Sequence, residues 1–362
     1  MLRPGQPAPW FVAPSPTNPE FAFSSLGGHF VLLLFLPEDR ELRSAVMAKV
    51  RDSAADRARQ NIPVFAVARD AETIATARNE PGLYWFLDSS GAVSRLYHAL
   101  SAEGVANPHW AVIDPSMRIF AVASLEHSDD LLRVVARLPA PDDHAGVPLH
   151  APVLIVPRVF ESDLCRQLIA HYDRHGGAPS GVMREIGGKT VPVMDGMKRR
   201  RDALIEDEAL LGLIRKRLET RLLPEIRKAF QFQVSRIERY IVACYESDGG
   251  GYFKPHRDNT TKGTAHRRFA CSINLNAEAH EGGELRFPEF GSKTYRPPTG
   301  GAVIFSCSLL HEATPVTAGR RYCFLPFFYD EAGAEIRAAN LASLQLSARP
   351  DPVPASAVRQ TA

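Results

Sequence analysis

His256-Arg257-Asp258 in the segment GYFKPHRDN, with His311 and Arg321 downstream in LLHEATPVTAGRRY, brings together residue types that hold a redox metal. Two imidazoles and one carboxylate can occupy one face of a ferrous ion and leave positions open for a co-substrate and dioxygen. A guanidinium close by offers a planar fork to a carboxylate. These are the parts of an oxygenase.

Position has to support that reading, because His-x-Asp also occurs at His127-Ser128-Asp129 and at His171-Tyr172-Asp173. Residues two apart diverge in a helix and share a face in a strand. His171 and Asp173 fall within a helical pattern from Asp163 to His175, so they do not readily share an ion. His127 and Asp129 open the last helix of the N-terminal half, where Ser128 or Asp129 is expected to act as a cap. His256 and Asp258 instead close a glycine-rich turn, Gly249 to Gly251, among predicted strands. His311 lies between AVIFSCS and RYCFLPFFYD, where a strand end can return a third ligand. Arg321 opens that final strand, and Arg320 is the natural occupant of a solvated position.

The elements that must place these residues fall into two halves. The chain has 362 residues, room for two domains with full cores. HFVLLLFLP (29–37), IPVFAVARD (62–70), YWFLDSSG (84–91) and HWAVIDPSMRIFAVAS (109–124) are apolar strands separated by helical stretches, which indicates α/β layering over residues 1–140. PAPDDHAGVPLH has the composition of a linker, placed at 141–150.

Beyond the linker, Ser162 is expected to cap the helix Asp163 to His175, with Phe160 stapling its start. A second helical stretch, Asp207 to Phe230, carries Leu210, Leu211, Ile214, Leu218, Leu222 and Ile226 on one face, and Pro224 should bend it. From Ser235 to Tyr329 short strands separated by turn residues predict a jelly-roll barrel buttressed by the two helices. The domain spans 151–332, followed by a helix and tail at 333–362. The basic run Lys198 to Arg201 is expected to be a solvated face, and Ile241, Phe287, Phe305 and Phe324 are candidates for a dry wall.

A net charge of +2 supplies no field to recruit nucleic acid or a membrane surface. The apolar run Phe30 to Leu36 is much shorter than the roughly 20 residues of a membrane span. Five isolated cysteines, Cys165, Cys244, Cys271, Cys307 and Cys323, argue against a disulfide framework and fit a reducing, cytoplasmic setting.

The N-terminal segments PGQPAPWF, FVLLLFLP, FLDSSGAVSRLY and AVIDPSMRI resemble the peroxiredoxin branch of the thioredoxin fold. Peroxiredoxins carry a thiolate nucleophile in a Pro-x-x-x-Thr-x-x-Cys loop. The matching positions here are Pro37, Glu41 and Ser44, and no cysteine precedes Cys165. The resemblance therefore implies a redox-inactive docking or scaffold module, open to a protein partner or self-association.

Ser235 to Asp330 resembles the catalytic barrel of the 2-oxoglutarate and iron(II)-dependent dioxygenases, in the prolyl 4-hydroxylase-like branch. IVACY (241–245), GYFKPHRDN (251–259), INLN (273–276), GGELRFP (282–288) and HEATPVTAGRRY (311–322) carry the likeness. It implies His256, Asp258 and His311 as iron ligands, Arg321 as partner of the far carboxylate of 2-oxoglutarate, and Tyr245 in the co-substrate pocket. Asn274 stands where some relatives hold 2-oxoglutarate with a tyrosine, and either Tyr252 or Phe253 takes the place of the tyrosine before the histidine. Fe(II), 2-oxoglutarate and dioxygen are the implied cofactor and co-substrates, with ascorbate as an accessory. The implied reaction hydroxylates an unactivated C–H of a peptide or small molecule, a prolyl residue among the candidates, with succinate and carbon dioxide as co-products. A non-catalytic jelly roll that binds metal and ligand as a sensor or scaffold is the alternative.

Overall fold

The apolar strands of the first half assemble into one mixed sheet. A computed structural model of the protein describes residues 2–344; the tail expected beyond them lies outside the described residues. The sheet runs Leu83–Leu87, Val64–Ala68, Val31–Phe35, His109–Ile113, Ile119–Ser124, with Val31–Phe35 parallel to Val64–Ala68 and antiparallel to His109–Ile113. Val31–Phe35 is buried throughout because both faces are covered. Leu32 and Leu34 join one apolar cluster, while Val31, Leu33 and Phe35 join the other. The helix Arg40–Asp52 follows, started by Asp39, whose side chain accepts the Leu42 N–H at 2.7 Å. This is a thioredoxin-like layering. Glu41 and Ser44 are exposed on that helix.

Chain contacts divide the molecule into Met1–Ala151 with Pro288–Ser292, and Pro152–Phe287 with the chain from Lys293 on. Pro141–Asp143, within the expected linker, forms a 3-10 turn and groups with the first unit.

The second unit is a double-stranded β-helix, a jelly roll, with supporting helices. Its larger sheet orders Arg236–Glu238, Phe327–Tyr329, Phe269–Asn274, Val316–Phe324, Ile241–Glu246, Arg201–Leu204 and Ala178–Pro179. A smaller sheet orders Lys198–Arg199, Tyr252–His256, His311–Ala313, Leu285–Arg286 and Thr294–Tyr295. Side chains alternate across the larger sheet with period two. Val242, Cys244, Cys271, Ile273, Tyr322 and Phe324 join the helix-side core, whereas Ala243, Tyr245 and Cys323 form a separate cluster on the opposite side.

The helices pack that core with Leu164, Leu168 and Tyr172 from Ser162–His175, and with all six leucines and isoleucines expected on one face of the second stretch. That stretch is broken: Glu208–Arg217 passes through a π-helical segment, Leu218–Leu222, into Leu223–Phe230, where Pro224 sits in the first turn and donates no backbone bond.

Three local expectations are corrected. Glu161, not Ser162, occupies the N-cap of Ser162–His175, and its carboxylate is engaged instead by Arg217 and by Arg221 at 2.8 Å. Neither Ser128 nor Asp129 caps its helix, because Ser128 Oγ donates to the Leu125 carbonyl and accepts from the Trp110 indole. Lys198 to Arg201 is not a solvated face. It spans two short strands, so Lys198 and Arg200 are buried while Arg199 and Arg201 are exposed.

Candidate metal centre and co-substrate cleft

His256 ends the strand Tyr252–His256 rather than lying in the glycine turn, and it pairs in register with His311 on the neighbouring antiparallel strand. Directly opposed residues bring their Cβ atoms within about 5 Å. The two rings stand 4.3 Å apart between centroids. Asp258 follows the strand, its N–H held by the Cys307 carbonyl at 3.0 Å and its carbonyl by Arg267 at 3.4 Å. One ligand atom from each of His256, Asp258 and His311 lies within 4.8 Å of the others.

The protonation pattern suits a cation. His256 Nδ1 is 2.8 Å from the Lys254 carbonyl and His311 Nδ1 is 3.0 Å from the Leu309 carbonyl. Carbonyls only accept, so each Nδ1 carries a proton and each Nε2 presents its lone pair inward. Those Nε2 atoms face the Asp258 oxygens at 3.5 and 3.3 Å. Burial pushes the His256 imidazole down to about 4, and His311 adds to that effect. Burial alone would raise Asp258, but His311 and the His256 contact outweigh it and hold the carboxyl well below its usual range. A carboxylate facing two bare nitrogens is a donor set for a divalent ion, and the residues fit iron(II).

Aromatic rings enclose the imidazoles. Phe253 stacks on His256 at 3.4 Å between centroids, while Tyr252 turns away and donates its hydroxyl to the Gly196 carbonyl at 3.2 Å. Phe305 and Phe287 lie 4.5 and 6.2 Å from the His311 ring. Phe324 is no part of this wall, since alternation turns it toward the helices, where it meets Phe160 at 5.6 Å. Ile241 is buried in the strand Ile241–Glu246.

Arg321 pairs in register with Tyr245, its guanidinium 5.1 Å from that ring centroid. It donates to Ser272 Oγ at 2.9 Å and lines a cleft with Ser272, Asn274, Glu284 and Arg296. Asn274 donates Nδ2 to the Pro297 carbonyl at 2.7 Å. Arg320, one residue away, is exposed and paired with Glu246 at 3.2 Å. Two glycines permit this arrangement: a Cβ on Gly283, at φ +74°, would lie 2.9 Å from Arg321 Cδ, and one on Gly251 would lie 2.9 Å from Tyr245 Cβ.

Both other His-x-Asp pairs are structural. His171 Nε2 meets the Leu204 carbonyl at 2.8 Å, and Asp173 accepts the Tyr322 hydroxyl at 3.0 Å. His127 and Asp130 make a loose surface contact at 3.9 Å, and Asp129 accepts from Lys49.

Sequence reasoning missed two features. Asn276, the last residue of INLN, accepts the Tyr322 N–H at 2.9 Å and donates to the Arg320 carbonyl at 2.8 Å, so it grips the backbone on both sides of Arg321. Lys198 Nζ stands 5.0 Å from the Phe253 centroid, next to the ring covering His256. Burial, then Arg200, pushes its ammonium down to about 6. Only a strand assignment for Lys198 to Arg201, with its period of two, could have separated the buried pair from the exposed one.

Residues 240–329 match the model of the 2OG-Fe(II) oxygenase superfamily, and residues 4–122 match that of the AhpC/TSA family. The chain is 27% identical over 121 residues to a PKHD-type hydroxylase of Synechococcus sp. (strain JA-2-3B'a(2-13)), covering 31% of this chain and 53% of that protein. It is 33% identical over 94 residues to a PKHD-type hydroxylase of Cupriavidus metallidurans, covering 24% and 40%. The chain thus spans about half the length of the curated relatives it matches. Among solved structures it is similar to a Pseudomonas putida prolyl-4-hydroxylase, at 19% identity and a TM-score of 0.36, covering 52% of this chain and 95% of that one.

Proposed function

With residues 240–329 belonging to the 2OG-Fe(II) oxygenase superfamily and residues 4–122 to the AhpC/TSA family, we propose that the protein is an iron(II)- and 2-oxoglutarate-dependent hydroxylase. Its substrate on this reading is a peptide, hydroxylated at an unactivated C–H such as that of a prolyl residue. The observation that carries the proposal is the convergence of two Nδ1-protonated imidazoles on the Asp258 carboxylate, in a barrel that also holds a cleft lined by buried Arg321.

His256, Asp258 and His311 would hold the ferrous ion, and the ion supplies the redox chemistry that couples dioxygen and 2-oxoglutarate to hydroxylation, with succinate and carbon dioxide released. Arg321 would receive the far carboxylate of 2-oxoglutarate, with Ser272 and Asn274 beside it and Tyr245 against the guanidinium. Phe253, Phe287 and Phe305 would exclude water from the imidazoles, which strengthens every charge interaction inside. Ascorbate would serve as the reductant that restores the ferrous state. The five buried, unpaired thiols support a cytoplasmic setting. The N-terminal domain, without a cysteine at Ser44, would act as a docking module.

The test is 2-oxoglutarate decarboxylation by the iron-loaded protein against a panel of proline-containing peptides and small-molecule candidates. Stimulation by a peptide, lost in Asp258→Ala, is the expected result. Metal and 2-oxoglutarate binding without turnover under any condition would instead favour a sensor or scaffold.

A further inference from the structure

Two buried basic side chains converge on one neutral hydroxyl, near the ring that stacks on His256. Lys198 Nζ donates to Ser180 Oγ at 3.0 Å and to the Gly181 carbonyl, and Arg200 Nη2 donates to the same Ser180 Oγ at 3.3 Å. Lys198 is 9% exposed and Arg200 7%. Asp202 pairs with Arg200 at 2.7 Å and so compensates that guanidinium. Among the described residues no carboxylate pairs with Lys198. Lys198 is bonded to a hydroxyl and a carbonyl, with Asp202 and Asp258 acting on it only without direct contact, so burial is the stronger influence on its ammonium.

Ser180 is half-buried and precedes the hairpin Val182–Ile186 and Lys189–Val193, whereas Lys198 and Arg200 are buried. Lys198 is the register partner of Phe253, whose ring stacks on His256. Ser180 Oγ accepts from both Lys198 and Arg200, which leaves its own proton to donate. Two basic side chains and one hydroxyl donor, separated from the His256 imidazole by the Phe253 ring, are the recognition chemistry of a carboxylate.

We infer that Lys198, Arg200 and Ser180 receive a carboxylate carried by the hydroxylated substrate, an inference that rests on the function proposed above. The substrate class is thereby narrowed to acids: a peptide with an acidic side chain or free C-terminus near the hydroxylated carbon. Arg321 and its cleft take the co-substrate's acid, and Lys198 takes the substrate's. A carboxylate at the niche would favour the protonated form of Lys198.

The probe is 3,3,3-trifluoropropionate, titrated alongside its amide into the full chain loaded with manganese(II) and saturating 2-oxoglutarate, with fluorine relaxation as the readout. Saturation of the Arg321 cleft by 2-oxoglutarate leaves the niche to the probe. Saturable relaxation enhancement is expected for the acid and not for the amide. Lys198→Gln should weaken acid binding at least about ten-fold, and Lys198→Arg should retain it. Equal behaviour of acid and amide, or undiminished acid binding in Lys198→Gln, overturns the inference. Binding of 2-oxoglutarate to the manganese-loaded wild type is measured separately, and its absence would sink the proposed function while the niche titration still reports on Lys198.

Discussion

His256 and His311 are register partners across antiparallel strands, and both turn Nε2 toward Asp258 while each Nδ1–H is fixed by a backbone carbonyl two residues earlier in the chain. The triad is therefore held by sheet register and local backbone. Replacing one ligand leaves that backbone intact. His256→Ala or Asp258→Ala should abolish succinate formation and weaken manganese(II) binding by about a hundred-fold or more, with the thermal midpoint little changed. Electron spin resonance of bound manganese and a succinate assay check this, and undiminished turnover in either variant removes the assignment.

Arg321 and Arg320 provide a built-in control. Arg321 is 3% exposed and bonded to Ser272, whereas the Arg320–Glu246 pair is a surface one. Truncating one partner of a buried ion pair costs roughly 2–5 kcal/mol, and an exposed pair contributes about 1 kcal/mol or less. Arg321→Ala is expected to raise the 2-oxoglutarate requirement by about thirty-fold or more, and Arg320→Ala to leave it unchanged. Equal effects from the two would place the anchor elsewhere.

The layering of both domains and the approach of His256, Asp258 and His311 were legible because their signals are local: apolar strands, turn residues, and polar side chains at strand ends. Burial of Lys198 and Arg200 was not, since a run of four basic residues looks solvated until strand pairing imposes alternation. Phe324 was misplaced for the same reason. Its own strand could face either side, and only the register with Val242 turns it to the helices. Caps failed where side chains had stronger distant partners, as with Glu161 and its two arginines.

Asn276 should act on the co-substrate through Arg321. Its amide holds the Arg320 carbonyl and the Tyr322 N–H, so Asn276→Ala frees the backbone on both sides of the guanidinium. Each lost bond costs on the order of 1 kcal/mol. The expected signature is a several-fold rise in KM for 2-oxoglutarate with manganese affinity unchanged and kcat little altered. A fall in kcat with KM unmoved would contradict a positioning role.

All five thiols should be silent in the native protein. Cys165, Cys244, Cys271, Cys307 and Cys323 are buried and free, and burial pushes Cys165 up to about 11 and Cys244 up to about 12. The thiolate is the reactive form, so titration with a disulfide reagent should give no rapid reaction before denaturation and five equivalents after it. Rapid peroxide consumption by the full chain would contradict both this and the redox-inactive reading of the N-terminal domain.

His280 should make the barrel acid-sensitive independently of the metal ligands. Its Nδ1 donates to the Gly282 carbonyl at 3.0 Å, and its Nε2 is buried without a hydrogen-bond partner among the described residues. Burial, then Arg296 and Arg321, pushes the imidazole down to about 4. The unfolded chain carries a histidine near 6.5. Above about 6.5 neither state binds this proton, between about 6.5 and 4 only the unfolded state does, and below 4 both do. Stability therefore falls as pH is lowered through that window. Urea unfolding of the metal-free protein should show its midpoint dropping between pH 6.5 and 4, and His280→Gln should flatten the drop relative to wild type. His256 contributes in the same direction, so the readout is the difference between the two proteins, and identical pH profiles would mean that His280 titrates normally in the fold.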